Sequence, residues 1–196
     1  MNRLPHRPRP SLPSRSPRLA GAGGFTLIEL LVTIALAGVL LAVAAPSMTR
    51  LISANRVQTE ASSLVNDLQY ARAEAVKEGQ PVTVCPSSDG KTCLGTNTWQ
   101  KGWIVFSDAN GNATVDTADG EALRARPALK GGDTFTATPS TTAVTFNREG
   151  FTSNLGTSVV TFKLHTADNA TNSTRCVAVS IGGRLTSQAA GEGSCS

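Results

Sequence analysis

The hydrophobic rhythm of the chain changes twice. Residues 1–20 are rich in Pro, Arg and Ser, and no stable element is predicted there. From Phe25 to Ala45 an apolar run of 21 residues carries one charge, Glu29, and no proline. As a helix rising about 1.5 Å per residue, that run spans the hydrocarbon of a membrane. Pro46 follows, withholds a hydrogen bond from the Ala42 carbonyl, and is expected to bend the helix. The helix then resumes, because Val57, Ala61, Leu64, Leu68, Ala71 and Ala75 recur at alternating spacings of four and three. Arg56, Glu60, Asp67, Arg72 and Glu74 are expected on the opposite, polar face. "KEGQP" ends the helix, with Gly79 as a stop and Pro81 just beyond. A helix over 25–78 would be about 80 Å long, its first half in lipid and its second half packing the apolar stripe on a head.

After Pro81 the period shortens to that of strands, in brief runs separated by turn residues. Strands are predicted at 81–85, 102–108, 121–127, 133–138, 143–147, 158–165, 174–181 and 183–187. "NREG" at 147–150 and "GG" at 182–183 punctuate hairpins. Eight strands suffice for two antiparallel sheets, and the helical stripe can cover an inner face. The predicted class is α+β: a long N-terminal helix packed on a β-rich, two-sheet head.

Composition changes this picture in two places. The net charge of +4 is concentrated in Arg3, Arg7, Arg9, Arg15 and Arg18. Subtracting those five from 18 leaves 13 basic residues against 14 acidic ones, so the rest of the chain has no basic excess. The arginine flank should stay cytoplasmic, which places everything after Ala45 across the inner membrane. The four cysteines, Cys85, Cys93, Cys176 and Cys195, form no CxxC and accompany only two histidines, His6 and His165, which argues against zinc. An even count beyond a membrane-directing segment favours disulfides in an oxidising compartment. Three connectivities are open, and the local pairing 85–93 with 176–195 is favoured.

Glu29 needs an explanation. An acid within a membrane helix costs about 2.5–3.5 kcal/mol, less near an end, and implies a partner. A secretory signal peptide would have a shorter apolar core followed by a small-residue cleavage site, which "AVAAP" loosely offers. A plain anchor explains the length but not the acid. Gly24, then Phe25, then an acid four residues on, opening a continuous apolar helix, resembles the type III signal of type IV pilins and type II secretion pseudopilins. The resemblance implies cleavage between Gly24 and Phe25 by prepilin peptidase and N-methylation of Phe25. It further implies that Glu29 sets axial register by meeting a neighbour's new α-amino group. Proline is common in pilins where Pro46 stands. The 24-residue leader is longer than most in that family.

The head carries a second resemblance. "GWIVFSDANGNATVDTADGEALR", "VTFNREGF" and "CVAVSIGGRLTS" are similar to the GspH/FimT family of minor pilins and pseudopilins. The implied organisation is a leader over 1–24, a membrane half-helix over 25–45, an amphipathic half over 46–80 and a periplasmic head over 81–196. The implied role is assembly of a type IV pilus or a type II secretion pseudopilus. The implied partners are other pilins, the peptidase and an inner-membrane assembly platform.

Three further sites are candidates. In "DANGNATVDTADGE", Asp108, Asn110, Asn112, Asp116 and Asp119 alternate as in a calcium loop, although Ala113 stands where an EF-hand needs glycine. A solvated hairpin loop is the competing reading, and no other cofactor is expected. Some FimT-type pilins are thought to bind DNA through a C-terminal Gly-Arg motif. That resemblance maps to Gly183 and Arg184, with Arg175 and Lys163 as further cations. Phosphate binding needs several clustered cations, and this region has few. An enzyme is not expected, because no nucleophile–base–acid set or metal cluster is visible.

Overall fold

The computed structural model describes residues 24–116, 120, 122–156 and 159–195. The arginine-rich leader expected over 1–24 therefore lies outside the described residues up to position 23. The stretch to Val43 and the remainder from Ala44 are separate compact units. In the first, α1 (Leu27–Glu78) begins, and every described residue is exposed. Position 46 lies within the bounds of this helix.

In the second unit the predicted stripe is the buried face. Val57, Ala61, Leu64, Leu68, Ala71 and Ala75 all lie in one core. The five charges expected opposite that stripe are not opposite it. At 3.6 residues per turn they sit about 60–100° from its centre, and the exposed far face belongs to Asn55, Ser62, Asn66 and Ala73. The flanking positions let long side chains reach around the stripe to the strands beneath.

All eight predicted strands form. They are β1 (Val82–Pro86), β2 (Trp103–Ser107), β3 (Arg124–Arg126), β4 (Thr134–Thr138), β5 (Val144–Phe146), β6 (Val159–His165), β7 (Arg175–Ser180) and β8 (Leu185–Ala189). They make two four-stranded antiparallel sheets, ordered β3-β2-β1-β5 and β4-β6-β7-β8. Inner faces of both sheets meet the helix in a single core. Between them Trp99 contacts Phe162 edge-on at 4.8 Å, and Trp103 contacts Phe135 at 5.8 Å. Such pairs add to simple area burial. Trp99 comes from a short 3-10 turn (Trp99–Lys101) and anchors its indole N–H on the Thr141 carbonyl at 3.0 Å.

The outer faces are covered as well. Cys85, Ile104, Phe106 and Ala143 form a second apolar cluster on the first sheet, roofed by Cys93, Ala113, Val115 and Ala122. The loop after β2 is thus a lid over a small core rather than a merely solvated hairpin. On the second sheet, the C-terminal tail lies against the outer face. Cys195 is bonded to Cys176, and the Thr161 hydroxyl donates to the Ser194 hydroxyl at 2.8 Å.

Candidate functional site

Gly24, Phe25 and Thr26 precede the helix, with Phe25 81% exposed. Thr26 is the N-cap: its Oγ1 accepts the Glu29 N–H at 3.3 Å, and its carbonyl accepts the Leu30 N–H at 3.2 Å. Thr26-x-x-Glu29 therefore has the sequence and place of a capping box. Glu29 lies in the first turn, where the helix dipole favours a negative charge. The signal is legible in the sequence as T-x-x-E before an apolar run. The helix that follows is long and apolar enough to cross a membrane, and its large side chains from Leu27 to Val43 are exposed.

The head grips its part of the helix with ionic and polar clasps. Asp67, with no exposed surface, accepts from the Trp103 indole N–H at 3.0 Å, Arg124 Nη1 at 3.1 Å and Arg126 Nε at 2.8 Å. Arg124 also lies over the Tyr70 ring, 3.7 Å from its centroid. Arg56 forks onto Asp133 at 2.6 and 2.8 Å. Those hydrogen bonds hold the Arg56 and Arg126 guanidiniums above their ordinary range. Glu60, without such a clasp, has its carboxyl pushed up by burial. Arg72 donates to the carbonyls of Gly183 and Gly182 at 3.0 and 3.4 Å. Gly150 and Gly183 both have positive φ, and a Cβ at Gly183 would run into the Gly150 carbonyl and the Arg72 guanidinium. The two glycine turns predicted from sequence thus converge on one helix arginine.

Both local disulfides are present, Cys85–Cys93 and Cys176–Cys195, and the described residues hold no free cysteine. The calcium candidates are engaged in building their own loop. Asp108 is buried; it accepts from Thr83 Oγ1 at 2.6 Å and from the N–H groups of Asn112 and Ala113, each at 3.0 Å. Asp116 accepts from the side-chain amides of Asn110 and Asn112. Asp119 lies outside the described residues. Among the described residues no three His, Cys, Asp or Glu side chains converge as a metal site.

The three proposed DNA-contacting cations do not form one patch. Arg175 pairs across the strands with Leu164 on the inner face and donates to Gln58 Oε1 at 2.6 Å. Lys163 is opposite Cys176 on the outer face. Arg184 is exposed at the β7–β8 turn, at the other end of β7 from Arg175. Strand alternation separates what sequence proximity suggested.

An apolar, exposed N-terminal helix whose continuation supplies the core of a two-sheet antiparallel head defines a pilin-type structural subunit. The family model for type II transport protein GspH matches residues 60–183, and that for the prokaryotic N-terminal methylation motif matches residues 20–45. The chain belongs to the GspH family of minor pilins and pseudopilins, which are structural subunits rather than enzymes. Two crystal forms of the Pseudomonas aeruginosa type IV minor pilin FimU share its fold at 23% identity. One covers 68% of this chain and 89% of FimU with a TM-score of 0.54; the other covers 67% and 91% with 0.51. The minor pseudopilin EpsH of the Vibrio cholerae type 2 secretion system aligns at 15% identity over 70% of this chain and 99% of EpsH, with a TM-score of 0.50. No curated protein matches the chain.

Proposed function

We propose that this subunit is cut between Gly24 and Phe25, methylated on the new terminus, and built into a type IV pilus or type II pseudopilus through its N-terminal helix. The observation that carries this reading is the Thr26-capped helix start, which places Glu29 one turn from the bond to be cut. Removing the leader creates a cationic α-amino group beside that carboxylate. Each charge is costly alone in lipid, and pairing between staggered neighbours offsets both costs while fixing axial register. The arginine flank supports a cytoplasmic N-terminus. The two disulfides support a head in the oxidising periplasm. The peptidase and an inner-membrane assembly platform are the partners this route requires.

Mass spectrometry of membrane-extracted protein should find the chain starting at Phe25 with one added methyl group. Glu29→Ala should insert in the membrane yet stay out of sheared filaments. Normal incorporation of that variant would remove the register role, and an intact leader would remove the whole reading. DNA uptake has weaker support, since Arg175, Lys163 and Arg184 face different ways.

A further inference from the structure

An unpaired sheet edge invites another strand, and proteins usually block it. Three of the four edges in this head are very short or carry a plug, although on β4 the plug reaches Ala137 and not the outward backbone of Phe135. On β4, Asn97 replaces a neighbouring strand: its Nδ2 donates to the Ala137 carbonyl and its Oδ1 accepts the Ala137 N–H, both at 2.8 Å. On β5, Asn154 accepts the Thr145 N–H at 2.9 Å and donates to the Ala143 carbonyl at 3.0 Å. Ser153 adds an N–H to the Thr145 carbonyl. β3 is only three residues long.

β8 differs. Its hairpin closes with the Ser180 N–H donating to the Arg184 carbonyl at 3.0 Å. Antiparallel alternation then turns the backbone of Thr186 and Gln188 toward β7, and that of Leu185, Ser187 and Ala189 away from it. Ala189 fixes the phase, because its N–H meets the Glu192 carboxylate at 2.9 Å. Among the described residues, the outward N–H and C=O groups of Leu185 and Ser187 meet no protein partner.

Beside this edge a groove of about 680 Å³ runs between the helix and the β7–β8 hairpin. Arg72, Val76, Arg184 and Leu185 line it, and no carboxylate does among the described residues. Arg72 is fixed there by the two glycine carbonyls, while Arg184 is exposed.

We propose that the β8 edge binds an extended acidic segment of another protein by strand addition. Leu185 and Ser187 supply the backbone pairing, Val76 and Leu185 an apolar floor, and Arg72 and Arg184 the charge that selects a carboxylate-bearing strand. A second copy pairing β8 with β8 fits worse, because Leu185–Ala189 carries no acid to meet the arginines. A nucleic acid brings charge but no strand to pair.

The test uses the full-length chain in detergent and a fluorescein-labelled heptapeptide, Thr-Val-Glu-Val-Glu-Val-Thr, followed by anisotropy. The wild type should bind it with a Kd below about 1 mM. Ser187→Pro deletes an outward N–H and fills the edge with a ring, leaving the β7 pairing in place. It should weaken binding by about tenfold or more at unchanged Tm, whereas Ser187→Ala should not. Arg184→Glu should lose the acidic peptide and gain its lysine counterpart, which keeps the test decisive should the proline variant misfold. The proposal is overturned if the wild type ignores the peptide, or if both Ser187→Pro and Arg184→Glu bind it normally. It is equally overturned if labelled oligothymidylate outcompetes the peptide regardless of Ser187→Pro, or if the edge proves to mediate only self-association. Binding is read on the isolated subunit, so the outcome does not depend on filament entry.

Discussion

Replacing Asp67 with alanine tests how the head holds its helix. Asp67 is fully buried and takes hydrogen bonds from Trp103, Arg124 and Arg126. Removing one member of a buried pair costs about 3–5 kcal/mol when the partner charge stays buried. Here the arginine side chains are 40% and 41% exposed, so water can take over much of their lost solvation. The Trp103 indole cannot be rescued in that way, since its residue is 1% exposed. A stranded buried donor costs about 1–3 kcal/mol. Adding a discounted ionic contribution puts Asp67→Ala at about 2–4 kcal/mol, and Asp67→Asn, which keeps an acceptor for Trp103, at about half that. For a head of this size, the Tm of Asp67→Ala should fall by about 4–16 °C. Near-ultraviolet circular dichroism of the chain in detergent follows the two buried indoles, Trp103 and Trp99, together. An Asp67→Ala melt overlaying the wild type would refute the buried clasp.

Two further outcomes follow from the head. His165, the only histidine after His6, has its imidazole held below the ordinary 6.5 by burial and by nearby Lys163. The neutral ring is therefore favoured in the fold, so its stabilisation is present above pH 6.5 and lost as pH falls through the folded value. NMR titration of the His165 ring should give a midpoint under 6.5, and His165→Gln should flatten the pH dependence of stability in that window. Cys176 and Cys195 close a loop with a sequence separation of 19, worth about 3 kcal/mol in chain entropy. Cys176→Ala with Cys195→Ala should lower the denaturant midpoint accordingly and free the tail to fast amide exchange.

How much of this was legible beforehand varies with the kind of interaction. The helix, its buried stripe and all eight strands follow from periodicity, because a backbone with 3.6 or 2 residues per repeat must turn like residues to one side. The local disulfides also agree with the reading by spacing. The capping role of Thr26 was equally local and could have been read. The polar clasps were not legible. Asp67 has the spacing of an acid flanking the apolar stripe, and only β2 and β3 arriving from 36 and more residues away make it a buried acceptor. The same holds for Arg72, whose carbonyl partners lie 110 residues on. Alternating oxygens describe a loop that satisfies its own amides as well as one that binds a cation, so the pattern alone does not choose between the two.

Which segments are helix and strand, which faces are apolar, and the acid that opens a membrane-length helix can all be read from the order of residues alone. Each is a property of neighbours within a few residues, where chain geometry leaves little choice. Which cations converge, which polar side chains are buried and which sheet edge stays open emerge from the packing of distant segments. Those depend on the order in which strands assemble, and one-residue alternation sends Lys163 and Arg175 to opposite faces although both belong to adjacent strands.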